Sequence, residues 1–125
     1  MSQSGERRLV AIVDDDESVR SALQGLMKSV GLPARAFASA EEFLASGEQG
    51  ETGCLISDIR MPGMSGLELQ TALKVGGWSV PIIFITAYAD ETVRRRALKA
   101  GALELLAKPF DEDALIASIR RVLEN

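Results

Sequence analysis

Five short apolar runs, each followed by a stretch of helical periodicity, narrow the folds open to this chain more than any other feature. The runs are Leu9–Val13, Ala34–Phe37, Cys54–Ser57, Pro81–Ile85 and Leu103–Leu106. Leu9–Val13 is continuously apolar, as a strand buried on both faces requires. After it Asp16 stands where a helix cap belongs, and Val19, Leu23, Leu26, Met27 and Val30 recur at helical spacing over Glu17–Val30. Gly31 supplies the left-handed residue that closes helices, and Pro33 follows. Ser39 opens a capping box, Ser-Ala-Glu-Glu, and a short helix to Ala45. Ser65 is placed to cap a helix over Gly66–Val75, Asp90 one to Ala100, and Asp111 a last one to Leu123. Ser46–Gly53 reads as loop, and Met61–Gly66, with one proline and two glycines, as a turn. This alternation predicts an α/β fold: a doubly wound, five-stranded parallel sheet with five helices. Each crossover is right-handed and has to cover a face of the sheet.

A chain of 125 residues fits a single domain, 1–125. Its hydrophobic share of 46% supports a real core, so only the polar start Met1–Arg8 is expected to be disordered. A net charge of −4 argues against direct nucleic-acid contact, which needs clustered Lys and Arg. One cysteine allows no internal disulfide and suits a reducing cytoplasm. Nothing resembles a secretory signal, and no stretch approaches the roughly 20 apolar residues of a membrane helix. The reading is therefore cytoplasmic. The absence of histidine excludes catalysis by a histidine base or ligand within the chain.

In open α/β sheets, ligands bind beyond the carboxyl ends of the strands. Asp14, Asp15 and Asp16 follow the first expected strand, Asp58 follows the third, Thr86 the fourth and Lys108 the fifth. All fall on one rim of the sheet. The carboxylates of Asp14, Asp15 and Asp58 would repel one another, and a divalent cation relieves that repulsion. Oxygen ligands without His or Cys favour a hard ion, Mg²⁺. A carboxylate can act as nucleophile and form an aspartyl phosphate. Lys108 offers a compact positive charge for a phosphoryl oxygen, and Thr86 a hydroxyl. Together these groups meet the needs of phosphoryl transfer.

Four segments carry a family likeness: Val13-Asp14-Asp15-Asp16, Ser57-Asp58-Ile59-Arg60-Met61-Pro62-Gly63-Met64-Ser65-Gly66, Ile85-Thr86-Ala87 and Ala107-Lys108-Pro109-Phe110. In that order, at strand ends, they make the chain resemble the receiver domain of response regulators in bacterial two-component systems, from Leu9 to Leu123. The Asp-Asp-Asp-Glu-Ser-Val-Arg and Ser-Ala-Glu-Glu-Phe-Leu segments look most like the nitrogen-fixation regulator branch, whose receivers usually precede a DNA-binding domain. The resemblance implies a flavodoxin-like sheet of order 2-1-3-4-5. It makes Asp58 the phosphoacceptor for a histidine kinase, Asp15 a direct Mg²⁺ ligand, Asp14 a ligand through water, and the Arg60 backbone carbonyl a further ligand. It gives Lys108 contact with the phosphoryl group, with a cis bond to Pro109, and makes Thr86 the switch hydroxyl. It implies a signalling switch whose only chemistry is self-phosphorylation and slow autodephosphorylation, with transcription as output. The fourth helix, fifth strand and fifth helix would form a homodimer or partner surface. Any DNA contact would come through an effector domain, and none with a membrane is expected.

Leu105 departs from the pattern, since the family usually has an aromatic residue three positions before the lysine. That departure keeps a second reading open, a docking module that no longer responds to phosphate. An aspartate-based phosphohydrolase is a third class, but its acid-base aspartate two residues after the nucleophile is replaced here by Arg60. Arg60 and Tyr88 sit near the site at positions the family varies. The bland readings hold elsewhere: Asp16 is a cap, Cys54 a small buried hydrophobe, Arg94–Arg96 with Lys99 a solvated helix face, and Trp78 has no assigned role.

Overall fold

A computed structural model describes residues 8–124, so the expectation for Met1–Arg8 lies, apart from Arg8 itself, outside the described residues. The chain alternates β1 (Leu9–Val13), α1 (Glu17–Ser29), β2 (Ala34–Phe37), α2 (Ala40–Ser46), β3 (Thr52–Ser57), α3 (Gly66–Val75), β4 (Ile82–Thr86), α4 (Glu91–Lys99), β5 (Glu104–Ala107) and α5 (Glu112–Leu123). The five strands form one sheet in the order β2-β1-β3-β4-β5, and every pairing is parallel. The strand order therefore reverses between β1 and β3, and the loops that follow these two strands open side by side.

Strand periodicity divides the core in two. Ala11, Val13, Leu55, Phe84 and Leu105 face one way, against Phe43, Leu69, Leu73 and Ala97 of α2, α3 and α4. Val10, Ile12, Cys54, Ile56, Ile83 and Ile85 face the other way, against Leu23, Met27, Leu115 and Ile119 of α1 and α5. Neighbours along a strand thus serve opposite layers, which is why the central strands carry no polar face. The helices begin where their caps say they should. Asp16, Ser39, Ser65, Asp90 and Asp111 each accept a hydrogen bond from a backbone N–H of the first helical turn.

Some boundaries differ from the sequence reading, for identifiable reasons. Ser46–Gly53 is not simply loop. Gly47 ends α2 in the left-handed region, a 3-10 turn spans Glu48–Glu51, and β3 begins at Thr52. Side chains tie this polar stretch down: Gln49 donates to the Leu44 carbonyl at 2.9 Å and Thr52 to that of Glu48 at 2.8 Å. β4 starts at Ile82 rather than Pro81, which has no N–H to offer a ladder, although its carbonyl accepts from Leu55 at 2.8 Å. β5 runs one residue later than expected, over Glu104–Ala107, and the Ser118 hydroxyl donates to the Glu104 carboxylate at 2.7 Å. The reciprocal capping box occurs at Ser65 and Glu68, while at Ser39 the Glu42 side chain reaches past the cap to the N–H of Ala38.

Candidate functional site

Register brings the acidic residues together. Val13 pairs with Ser57, so Asp14 and Asp58, each one residue further on, leave adjacent strands side by side. The Asp58 N–H donates to the Val13 carbonyl at 3.0 Å, which continues the ladder into the site. Thr86 pairs with Ala107, and the Lys108 N–H donates to the Thr86 carbonyl at 2.9 Å, which sets Lys108 beside Thr86 on the same rim.

At the centre, the Lys108 ammonium bridges two carboxylates, 3.0 Å from Asp14 Oδ2 and 2.9 Å from Asp58 Oδ2. The other Asp58 oxygen accepts from the Ile59 N–H at 2.6 Å. Asp14 Oδ1 accepts from the Asp16 N–H at 2.9 Å, and the Asp14 carbonyl accepts from Arg20 at 2.8 Å. Asp14 and Asp58 are buried while Asp15 is exposed, and all three present carboxylate oxygens within 4.8 Å of one another. Burial raises the Asp14 pKa above the ordinary carboxylate value despite the opposing pull of the Asp16 N–H and of Lys108. For Lys108, desolvation pulls downward, but its bonds to Asp58 and Asp14 outweigh it and hold the ammonium above its usual value. The amine therefore stays charged at neutral pH, where it offsets part of the carboxylate repulsion.

The Thr86 side chain is fully buried, and its hydroxyl accepts from the Tyr88 N–H at 3.1 Å. Among the described residues no hydrogen bond joins it to Asp58. The Arg60 carbonyl likewise accepts none among the described residues. The Arg60 guanidinium lies over the Tyr88 ring, 4.4 Å from its centroid. The Lys108–Pro109 bond is cis, as the resemblance implied. Leu105 is buried in the core on the α4 side, at the position where the family usually has a ring.

Sequence reasoning missed two supports of this site. Gly66 packs so closely that a Cβ there would stand 2.2 Å from the Asp58 carbonyl oxygen. Its place next to a helix cap was legible in the sequence, but its packing against β3 was not. Glu41 of α2 accepts from the Met64 N–H at 2.8 Å, which pins the loop after Asp58 and holds that carboxyl below its ordinary range. Trp78 also gains a location, if not a role. It lines a groove of about 520 Å³ with Leu73, Lys74, Pro81, Gly101 and Leu103, at the amino-terminal edge of β4 and far from the carboxylates in the fold.

Comparison with known proteins decides the family. Residues 10–120 match the family model described as the response regulator receiver domain. The chain belongs to that family. Among its relatives, the response regulator protein TodT of Pseudomonas putida is 43% identical over 121 residues, covering 97% of this chain and 53% of TodT. The transcriptional regulatory protein FixJ of Azorhizobium caulinodans is 41% identical over 114 residues, covering 91% of this chain and 54% of FixJ. The solved response regulator StyR superposes with a TM-score of 0.86 at 46% identity, over 93% of this chain and 59% of that one. This receiver domain thus spans about half the length of the curated relatives it matches. No helix among the described residues is long and apolar enough to cross a membrane.

Proposed function

We propose that Asp58 of this receiver domain accepts a phosphoryl group from a histidine kinase, and that the domain changes conformation in response. The observation that carries this reading is the Asp58 carboxylate paired with Asp14 across the Lys108 ammonium. In the transfer, the phosphorus–nitrogen bond of a phosphohistidine breaks as an Asp58 oxygen bonds to phosphorus. The imidazole leaves with the electron pair and takes up a proton. Lys108 then shifts from the Asp58 oxygen to a phosphoryl oxygen, and the Thr86 hydroxyl turns from the Tyr88 N–H towards another. In slow autodephosphorylation water attacks phosphorus and the Asp58 carboxylate departs, leaving inorganic phosphate.

The donor set fits a hard divalent cation: three clustered carboxylates and a carbonyl at Arg60 that accepts no hydrogen bond among the described residues. Asp15 and Asp58 would hold Mg²⁺ directly with the Arg60 carbonyl, and Asp14 through water. When bound, the ion supplies positive charge against the developing charge of the phosphoryl group.

The likeness to transcriptional regulatory proteins such as FixJ supports control of transcription as the output, through an effector other than this domain. Residues 1–125 act as one phosphorylation-switched unit in the cytoplasm, a setting that suits the free, buried Cys54. The face formed by α4, β5 and α5 is the surface for a homodimer or other partner.

Beryllofluoride, which mimics the phosphoryl group, tests the reading by titration calorimetry. Saturable binding to the parent that requires Mg²⁺, and none to Asp58→Asn, is the expected result. Equal heats from the two proteins, or no binding to either, would leave only the docking module.

A further inference from the structure

Tyr88 touches the site twice. Its N–H donates to the Thr86 hydroxyl at 3.1 Å, and its ring carries the Arg60 guanidinium 4.4 Å from the centroid. Arg60 in turn stands two residues after Asp58, on the other loop. A continuous path therefore runs from Asp58 through the Arg60 backbone and side chain to the Tyr88 ring. It continues through the Tyr88 N–H to the hydroxyl of Thr86. Both outer side chains are exposed, with Tyr88 59% accessible, so core packing does not hold them in place. Among the described residues Arg60 has no carboxylate within salt-bridge distance and donates no hydrogen bond. The aromatic face is the group that holds its charge.

We propose that the Arg60–Tyr88 stack is a positioning latch: it keeps the Thr86 hydroxyl turned to the Tyr88 N–H until a phosphoryl group on Asp58 draws Arg60 away. The inference rests on Asp58 being the phosphoacceptor. A phosphoryl group on Asp58 carries a charge of about −1.5 to −2 and three strong acceptor oxygens, in place of the single charge of the free carboxylate. A guanidinium bonds phosphoryl oxygens in pairs, with charge assistance, whereas a cation–π contact at an exposed site is among the weaker attractions of a cation. The exchange therefore runs one way when the phosphate arrives. Loss of the cation frees the Tyr88 ring, and with it the loop whose N–H holds Thr86. Coupling by this route uses a ring outside the sheet. It needs none at position 105, where this chain has a buried leucine. The phosphate biases an existing two-state element because Arg60 binds differently in the two states.

The chain has one tyrosine, so labels on tyrosine report on this residue alone. In protein carrying 3-fluorotyrosine the ring gives a single fluorine resonance, and in ¹⁵N-tyrosine protein the amide gives a single cross-peak. Arg60→Ala should shift both signals without any phosphate mimic. Beryllofluoride with Mg²⁺ should move both parent signals towards the Arg60→Ala positions, while the fluorines of the bound mimic report its occupancy separately. Identical ring signals in the parent and Arg60→Ala would overturn the stack. A full complement of bound mimic with an unmoved ring would overturn the release. A moved ring with an unmoved amide would overturn the link to Thr86. Absence of bound mimic would instead remove the phosphoacceptor reading and the latch together.

Discussion

Two residues that take no part in the chemistry show how tightly the site is built. A methyl group at Gly66 would meet the Asp58 carbonyl at 2.2 Å and the Ile59 Cα at 3.0 Å, both rigid backbone. Gly66→Ala is therefore expected to cost about 2 kcal/mol or more, measured as a lowered urea midpoint. It should also weaken beryllofluoride binding, because the atoms pushed aside carry the nucleophile. Cys54, fully buried on β3, illustrates linkage. Burial pushes its thiol from 9.0 to about 12, so above pH 9 the unfolded chain releases a proton that the folded chain keeps. The unfolded state then binds fewer protons, and stability falls as pH rises from 9.0 to about 12, by up to about 1.4 kcal/mol per pH unit. Urea titrations at pH 8 and pH 10.5 should therefore show the gap between the parent and Cys54→Ala moving in favour of the variant. The placement of the site was legible at this scale: Asp14, Asp15, Asp58 and Lys108 were all named from strand ends, and the fold brings them together. The clearance at Gly66 was not legible, because a steric limit depends on how the turn after Asp58 folds back on itself, and sequence spacing says nothing of that.

At the scale of elements, the helix starts were the most legible feature, because a cap is local chemistry. A polar side chain bonds a backbone N–H two or three residues ahead, as at Asp16, Ser39, Ser65, Asp90 and Asp111. Strand starts were less legible. Thr52 and Gly53 carry no apolar signal, yet both are buried in β3, where Thr52 pairs with Leu9 of β1. Short α2 depends on what it packs against. Phe43 is fully buried and meets Phe37 edge-on, with ring centroids 5.4 Å apart. Phe43→Ala should cost about 3–5 kcal/mol by thermal or urea unfolding, a large part of the stability of a domain this size. Because α2 also supplies Glu41 to the loop after Asp58, that loss should loosen the site as well. Faster hydrogen exchange at the Met64 amide would register it.

Across the whole molecule, the site exists only in the folded state, so its ligands should stabilise the fold. Mg²⁺ at a hundredfold excess over its dissociation constant is expected to add about 2.7 kcal/mol. The gain should appear as a rise in Tm that Asp15→Asn abolishes, whereas an equal rise in the variant would place the ion elsewhere. Amino-acid order alone carried the parallel α/β class, the order of elements and the rim on which the polar residues stand. Apolar runs, helical spacing and caps act over a few residues and are written where they act. Packing of the folded chain was needed to set Lys108 between Asp14 and Asp58, to leave Gly66 no room for a side chain, and to bring Arg60 to Tyr88. Lys108 stands 94 residues from Asp14 and 50 from Asp58, and strand register sets the distances between them. Register is a property of the assembled sheet, which no single segment encodes.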